Sequence, residues 1–208
     1  PEGLPPDRAT ELPASPPIHQ LATHDLLAAF LRAGRPEADE GIFAWAPERA
    51  CGQLFGFVRP DALAGIRIGG RSLALFIERD LGTERGEVLA DKVRRYRSMF
   101  AGAAAEGIAV GFVVESARRA QTIDSLGRRL PGSVALLTVS AHQLVSDPLR
   151  VAWSDGQQLR LISDLSTPDR LQGEPILMPG CLHDPDALLL FDDRAASVLR
   201  ALSPQLGG

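Results

Sequence analysis

Three acidic residues and one lysine are spaced so that they can meet at one end of a sheet. Glu78 and Asp80 end an apolar run, residues 72–77, that is too short for a typical helix. In a strand these two acids share one face. Asp61 lies 17 residues before Glu78, which leaves room for a hairpin that sets it beside Glu78. The helix predicted next carries Lys92.

This arrangement predicts metal chemistry. Three carboxylates at one point repel each other unless a cation lies among them. A hard divalent ion with oxygen ligands, Mg²⁺ or Mn²⁺, removes that repulsion. Such an ion activates water and stabilises charge that develops on a phosphate. The predicted metal ligands are Asp61, Glu78 and Asp80, and Lys92 joins them as a predicted catalytic residue.

Each of these residues also has a purely structural interpretation. Pro-Asp is a common turn dipeptide, so Asp61 can belong to a turn. Glu78 and Asp80 can form a charged strand end over solvent. Lys92 can be an exposed helix lysine. His19 lies five residues from the next histidine, a spacing that does not share a helix face, and we expect a surface or capping role for it.

The surrounding pattern alternates helices and strands. A helix is predicted over residues 20–34, with Thr23 as its N-cap and Gly34 as its end. A second helix is predicted over residues 85–100, with Thr83 as its cap. A third is predicted over 116–129. Strands are predicted over residues 42–46, 54–59, 65–70, 72–80, 108–114 and 134–139. This order indicates a mixed sheet with helices on its faces.

The chain divides into three predicted parts. Residues 1–18 are rich in proline and indicate a tail or linker. Residues 19–145 hold the core pattern. Residues 146–208 form a C-terminal extension, in which Asp155-Gly156 marks a hairpin and a short helix is predicted over 193–202. The chain begins at Pro1 rather than at a methionine, so we expect it to be a fragment or a processed form.

Composition excludes several classes of protein. Two cysteines cannot build a disulfide framework, and we expect a cytoplasmic chain with reduced thiols. No apolar run is long enough to cross a membrane. The net charge is −4, which argues against a large nucleic-acid surface. The span from residue 85 to 129 is different, with nine basic and five acidic residues.

Arginines in this basic span are predicted to contact nucleic-acid phosphates, although a solvated helix face would look the same. The predicted nucleic-acid-binding residues are Arg85, Arg94, Arg95, Arg118 and Arg119.

Several stretches resemble known families. Pro60-Asp61 followed by Glu78-x-Asp80 looks like the motif of the PD-(D/E)xK nucleases, whose core is a sheet with flanking helices. More narrowly, the chain resembles the replication-relaxation family of plasmid and mobile-element proteins over residues 18–140. The resembling stretches are His19-Gln-Leu-Ala-Thr-His-Asp25, Arg59-Pro-Asp61, Phe76-Ile-Glu-Arg-Asp-Leu-Gly-Thr-Glu84 and Lys92-Val-Arg-Arg-Tyr96.

The resemblance implies an α/β fold with a restriction-endonuclease-like mixed sheet, a role in plasmid replication or mobilisation, and DNA as a partner. It also implies a winged-helix domain ahead of this chain. The nuclease motif ends in lysine where this chain has Asp80, and Lys92 can replace that lysine from the neighbouring helix. Two hypotheses therefore stay open: an Mg²⁺-dependent DNA-processing enzyme, and a catalytically silent DNA-binding or dimerisation module. A homodimer that pairs through the hairpin at residues 149–162 is a further possibility.

Overall fold

The computed structural model describes residues 17–55, 58–101 and 105–168. A mixed sheet with strand order β1-β2-β3-β4-β5-β6-β7 is covered by helices on both faces, and a short β8 pairs with the start of β3. The strands are β1 (Gly41–Pro47), β2 (Ala62–Ile68), β3 (Arg71–Asp80), β4 (Ile108–Val114), β5 (Ala135–Ser140), β6 (Trp153–Ser154), β7 (Leu159–Arg160) and β8 (Thr167–Pro168). The helices are α1 (Pro17–Ala33), α2 (Glu48–Phe55), α3 (Gly86–Met99), α4 (Ala117–Arg129), α5 (Ala141–Ser146) and α6 (Ile162–Leu165). This confirms the predicted α/β class with a mixed sheet.

A tight hairpin joins β2 to β3. Gly69 and Gly70 turn the chain with φ values of 57° and 72°, which suit glycine and the two-residue turn that matches strand twist. The two strands are antiparallel, and Ala62 pairs with Ile77. The residue before β2 and the residues at the end of β3 therefore lie at the same edge of the sheet.

Strand β3 is the central strand at this edge. It pairs with β2 in the antiparallel sense and with β4 in the parallel sense, and it is buried from Ser72 to Asp80. Its side chains alternate between two hydrophobic clusters. Phe76 packs on the side of α3, and Ile77 packs on the side of α1. Glu78 therefore points toward α3, as the alternation predicts.

Helix α3 packs on the sheet through the predicted stripe. Leu89, Val93 and Tyr96 are fully buried, and the rings of Phe76 and Tyr96 meet edge to face with their centroids 6.0 Å apart. The helix starts later than its predicted cap. Arg85 occupies the N-cap position without a side-chain cap, so the prediction of Thr83 as the cap is wrong.

Two further local predictions are wrong. Residues 54 and 55 belong to α2, an eight-residue helix, rather than to a strand over 54–59. The apolar and aromatic character of this stretch suits a strand, but in this fold Phe55 packs against the core cluster on the α3 side. Thr23 does not cap α1. It lies inside the helix, where its hydroxyl donates to the carbonyl of His19 at 3.0 Å.

The chain after β5 continues the sheet. The predicted hairpin is present, with β6 and β7 paired on either side of Asp155-Gly156 and β6 paired with β5. Trp153 and Ile162 are fully buried in the cluster on the α1 side. The helix predicted over 193–202 lies outside the described residues. No helix in the described ranges is long and apolar enough to span a membrane.

Replacing Gly111, on β4, by alanine tests how closely the Trp153 ring of β6 packs against β4. A Cβ at Gly111 would lie 2.6 Å from the Trp153 ring, and the ring is enclosed. We expect the Gly111→Ala variant to lose about 1–3 kcal/mol of unfolding free energy, measured by urea denaturation. Gly86→Ala is the control, because open space surrounds that position. Equal stability of the two variants would contradict the observed packing.

Candidate functional site

Asp61 is fixed at the sheet edge by two hydrogen bonds. Its Oδ1 atom lies 2.8 Å from Nε2 of His19 on α1. Its Oδ2 atom accepts the backbone N–H of Arg79 on β3 at 2.6 Å. The hydrogen bond to Asp61 raises the pKa of His19. Asp61 thus ties the first helix to the end of the central strand.

Glu78 is the most deeply buried acid of the site, with 2% of its surface exposed. Its carboxylate accepts from Lys92 Nζ at 2.8 Å and from the Tyr96 hydroxyl at 2.6 Å. Burial raises the pKa of Glu78 to about 7, against the lowering effect of Lys92 and with a further raising effect of the Asp61 charge. Glu78 is therefore poised to change its charge near neutral pH.

Lys92 links the strand end to the loop before α3. In addition to Glu78, it donates to Glu84 Oε1 at 3.0 Å. Burial lowers the pKa of Lys92, but the charges and hydrogen bonds of Glu78 and Glu84 outweigh this and raise it. Lys92 is thus held as a cation between two carboxylates, and the structural interpretation of a free surface lysine does not describe it.

Asp80 is bound by different partners. Its Oδ2 atom accepts from Arg119 Nε at 2.5 Å, and its Oδ1 atom accepts the backbone N–H of Gly82 at 2.6 Å. The Asp80 side chain is 4% exposed and that of Arg119 is 14% exposed. Asp80 therefore shares a face of β3 with Glu78 but forms its own ion pair with α4.

The other predicted nucleic-acid-binding arginines are exposed. Arg95 pairs with Asp91 at 2.8 Å, and Arg94 lies 3.9 Å from the same carboxylate. Arg85 and Arg118 stand at the starts of α3 and α4. Arg119 differs from these four, because its side chain is mostly buried against Asp80.

A cavity of about 360 Å³ opens beside Glu78 and Lys92. It lies between α3 and residues 58–59. The residues that line it include Arg59, Asp91, Arg95 and Tyr96. The Glu78–Lys92 pair therefore lines a cavity whose other lining residues include both basic and acidic side chains.

The predicted acids do not form a dense cluster of ligands. Among residues 17–55, 58–101 and 105–168, no group of three or more His, Cys, Asp or Glu side chains is arranged to hold a metal ion. Asp61 and Glu78 are still coupled, because the Asp61 charge acts on the pKa of Glu78. Mg²⁺ commonly binds one or two carboxylates together with waters and substrate phosphates. In the protein both oxygens of Asp61 and both oxygens of Glu78 are already in hydrogen bonds.

Two residues of the site are not among the predicted site residues. His19 contacts Asp61 across 42 positions of the sequence, and no local periodicity signals such a contact. Tyr96 belongs to the buried apolar stripe of α3, yet its hydroxyl donates a hydrogen bond to Glu78. The signal that could have identified both residues is the family resemblance, because His19 and Tyr96 each lie in a stretch that resembles the family.

Stability should depend on pH through Glu78. A carboxyl with a pKa raised from 4.5 to about 7 in the fold contributes most below pH 4.5, and this contribution is lost as the pH rises through about 7. We expect the urea midpoint of the wild type, measured in EDTA, to decrease as the pH is raised from 5 to 8. His19 acts in the same direction, because its pKa is also raised.

The Glu78→Gln variant isolates the part of this dependence that belongs to Glu78. Glutamine does not titrate, so its urea midpoint should fall less between pH 5 and pH 8 than that of the wild type. Identical pH profiles for the two proteins would mean that Glu78 titrates at its ordinary value.

The fold and the site define an α/β domain with a mixed sheet and a buried acid–base cluster at one sheet edge. The model of the replication-relaxation family matches residues 6–114, which is more than half of the 208 residues. The chain belongs to the replication-relaxation family. No match was found among curated proteins or among solved structures.

Proposed function

We propose that this chain is a metal-dependent DNA-processing domain with a nuclease-like core that acts in plasmid replication or mobilisation. Membership of the replication-relaxation family suggests the biological role. The mixed sheet with flanking helices agrees with the restriction-endonuclease-like core that the motif resemblance implies. DNA is then the substrate, and the activity is endonucleolytic.

The observation that carries this proposal is the environment of Glu78. A buried carboxylate ends the central strand, a lysine lies 2.8 Å from it, and a cavity opens on both. Perturbed ionisable groups at a cavity are a common sign of catalysis. Asp61 directly precedes β2, and the register of β2 with β3 sets it beside the strand end that carries Glu78.

Each residue then has a role. Asp61 and Glu78 would hold Mg²⁺ or Mn²⁺, and an ion bound there would activate water and stabilise charge on the phosphate. Lys92 would stabilise the negative charge of the pentavalent phosphate or position the nucleophile. Asp80 would add a ligand or orient water only when Arg119 turns away from it.

Nicking of supercoiled plasmid tests this function. Wild-type protein is incubated with plasmid in Mg²⁺, in Mn²⁺ and in EDTA, and open-circular product is quantified on gels. The proposal expects product with either metal ion and none in EDTA. Intact plasmid under all three conditions, from protein that binds the same DNA, would contradict it.

The second candidate is a catalytically silent DNA-binding module that keeps the fold. The specific observation in its favour is Asp80, which stands where the nuclease motif has lysine and is neutralised by Arg119. In this alternative the internal ion pairs stabilise the sheet edge, and DNA contacts the exposed arginines. It expects a gel shift of plasmid fragments that needs no divalent ion, with no nicking.

A further inference from the structure

The cavity beside Glu78 has a shape and size of its own. Its volume of about 360 Å³ lies at the small end of the range for ligand pockets, about 300–1,000 Å³. Space of this size suits one nucleotide unit, whereas a base-paired duplex is too wide to enter. A DNA strand can therefore place a nucleotide in the cavity only where that nucleotide is not base-paired.

Two arginines line the cavity, each in an exposed ion pair, and the partner of Arg95, Asp91, also lines it. The Arg59 side chain is 51% exposed and lies 3.5 Å from Glu48, and the Arg95 side chain is 59% exposed and lies 2.8 Å from Asp91. Exposed ion pairs of this kind contribute little to stability, so a phosphate can replace these carboxylates at little cost. The guanidinium fork matches phosphate oxygens in a bidentate geometry.

The cavity also has an apolar side. Val58 is buried in its wall, and Val88 on α3 is 52% exposed. Val88 stands in the first turns of α3, before Lys92 and Arg95 on the same helix. An apolar surface next to cations fits a group that has both an anionic part and an apolar part, as a nucleotide does.

We propose that this cavity is a binding subsite for one nucleotide of an unpaired DNA strand, with Arg59 and Arg95 on its phosphate and Val88 against its sugar or base. The inference deepens the proposed function and depends on DNA being the substrate. It makes single-stranded or locally opened DNA the preferred form, because the subsite cannot be filled by a closed duplex.

Fluorescence anisotropy in EDTA tests the subsite without any cleavage. A labelled single-stranded oligonucleotide and the duplex of the same sequence are titrated with wild type, Arg95→Gln and Arg94→Gln. Both arginines are exposed on α3 and lie near Asp91, but only Arg95 lines the cavity. Arg94→Gln is therefore the matched control for loss of charge.

We expect the wild type to bind the single strand more tightly than the duplex. Arg95→Gln should weaken single-strand binding about tenfold and remove most of this preference, as loss of a hydrogen bond between charged groups predicts. Arg94→Gln should weaken both forms slightly and keep the preference. A Val88→Ser variant should lower single-strand affinity alone.

Two results would overturn the inference: equal affinity of the wild type for both forms, or equal effects of the Arg94 and Arg95 substitutions on the preference. Because binding is measured in EDTA, where no cleavage occurs, a protein that lacks nicking activity can still show the expected preference for single-stranded DNA. Failure of the subsite and failure of the nuclease function are therefore separate outcomes.

Discussion

Replacing Glu78 by glutamine is expected to reduce metal-dependent plasmid nicking by at least about 100-fold. Loss of an outer partner of a metal ligand commonly costs 10–100-fold in affinity or activity, and loss of a ligand itself costs more. Glutamine keeps the size of Glu78 but removes the charge that faces Lys92. The rate of open-circular product formation at saturating Mn²⁺ measures the effect.

A matched control separates this effect from a general loss of negative charge. Glu87 lies in the first turn of α3 and is exposed, so Glu87→Gln should nick at the wild-type rate. Circular dichroism should show that both variants are folded. If Glu78→Gln nicks as fast as Glu87→Gln while EDTA stops both, the metal ion is held elsewhere and the assignment of Glu78 is wrong.

Replacing Arg119 by methionine is expected to lower the free energy of unfolding by about 3–5 kcal/mol. Methionine retains much of the apolar packing of arginine but leaves the Asp80 carboxylate, which is 4% exposed, without its cation. Among the described residues, the backbone N–H of Gly82 is then the hydrogen-bond donor that remains to that carboxylate. Urea denaturation at neutral pH measures the loss.

Arg118 supplies the control for this experiment. It is the preceding residue on α4 and is exposed, so Arg118→Met should change stability by less than about 0.5 kcal/mol. Comparable stability of the two variants would show that the Asp80–Arg119 pair contributes little.

Much of the fold could be predicted because its signals are local. The apolar run of β3, the stripe of α3 and the Asp155-Gly156 turn each determine an element within a few residues. The placement of Asp61 beside Glu78 could also be predicted, because a tight turn joins β2 to β3 and determines which residues of the two strands are paired. These elements position the predicted acids at one edge.

The errors have a different physical origin. The prediction of a strand over 54–59 was wrong because a short apolar stretch next to a charged one is compatible with a helix as well as with a strand. Tertiary packing selects the helix α2 here. The contact between His19 and Asp61 could not be predicted, since it depends on how α1 crosses the sheet. The pairing of Asp80 with Arg119 likewise joins two elements 39 residues apart.

Several predictions concern assembly. The homodimer through the hairpin at residues 149–162 stays a prediction, and the exposed Leu159 and Leu161 on that segment are where it would be tested. The winged-helix domain implied ahead of this chain also stays a prediction. Analytical ultracentrifugation of the wild type and of a Leu159→Ser variant would address the dimer.

Calorimetric titration of Mn²⁺ into the protein tests the central claim most directly. The wild type is compared with an Asp61→Asn, Glu78→Gln double variant, and an Asp147→Asn, Glu87→Gln double variant, which changes two exposed acids, is the control. We expect binding by the wild type and by the control, and none by the site variant. Absence of binding by the wild type, or equal binding by all three proteins, would contradict a metal site at Asp61 and Glu78.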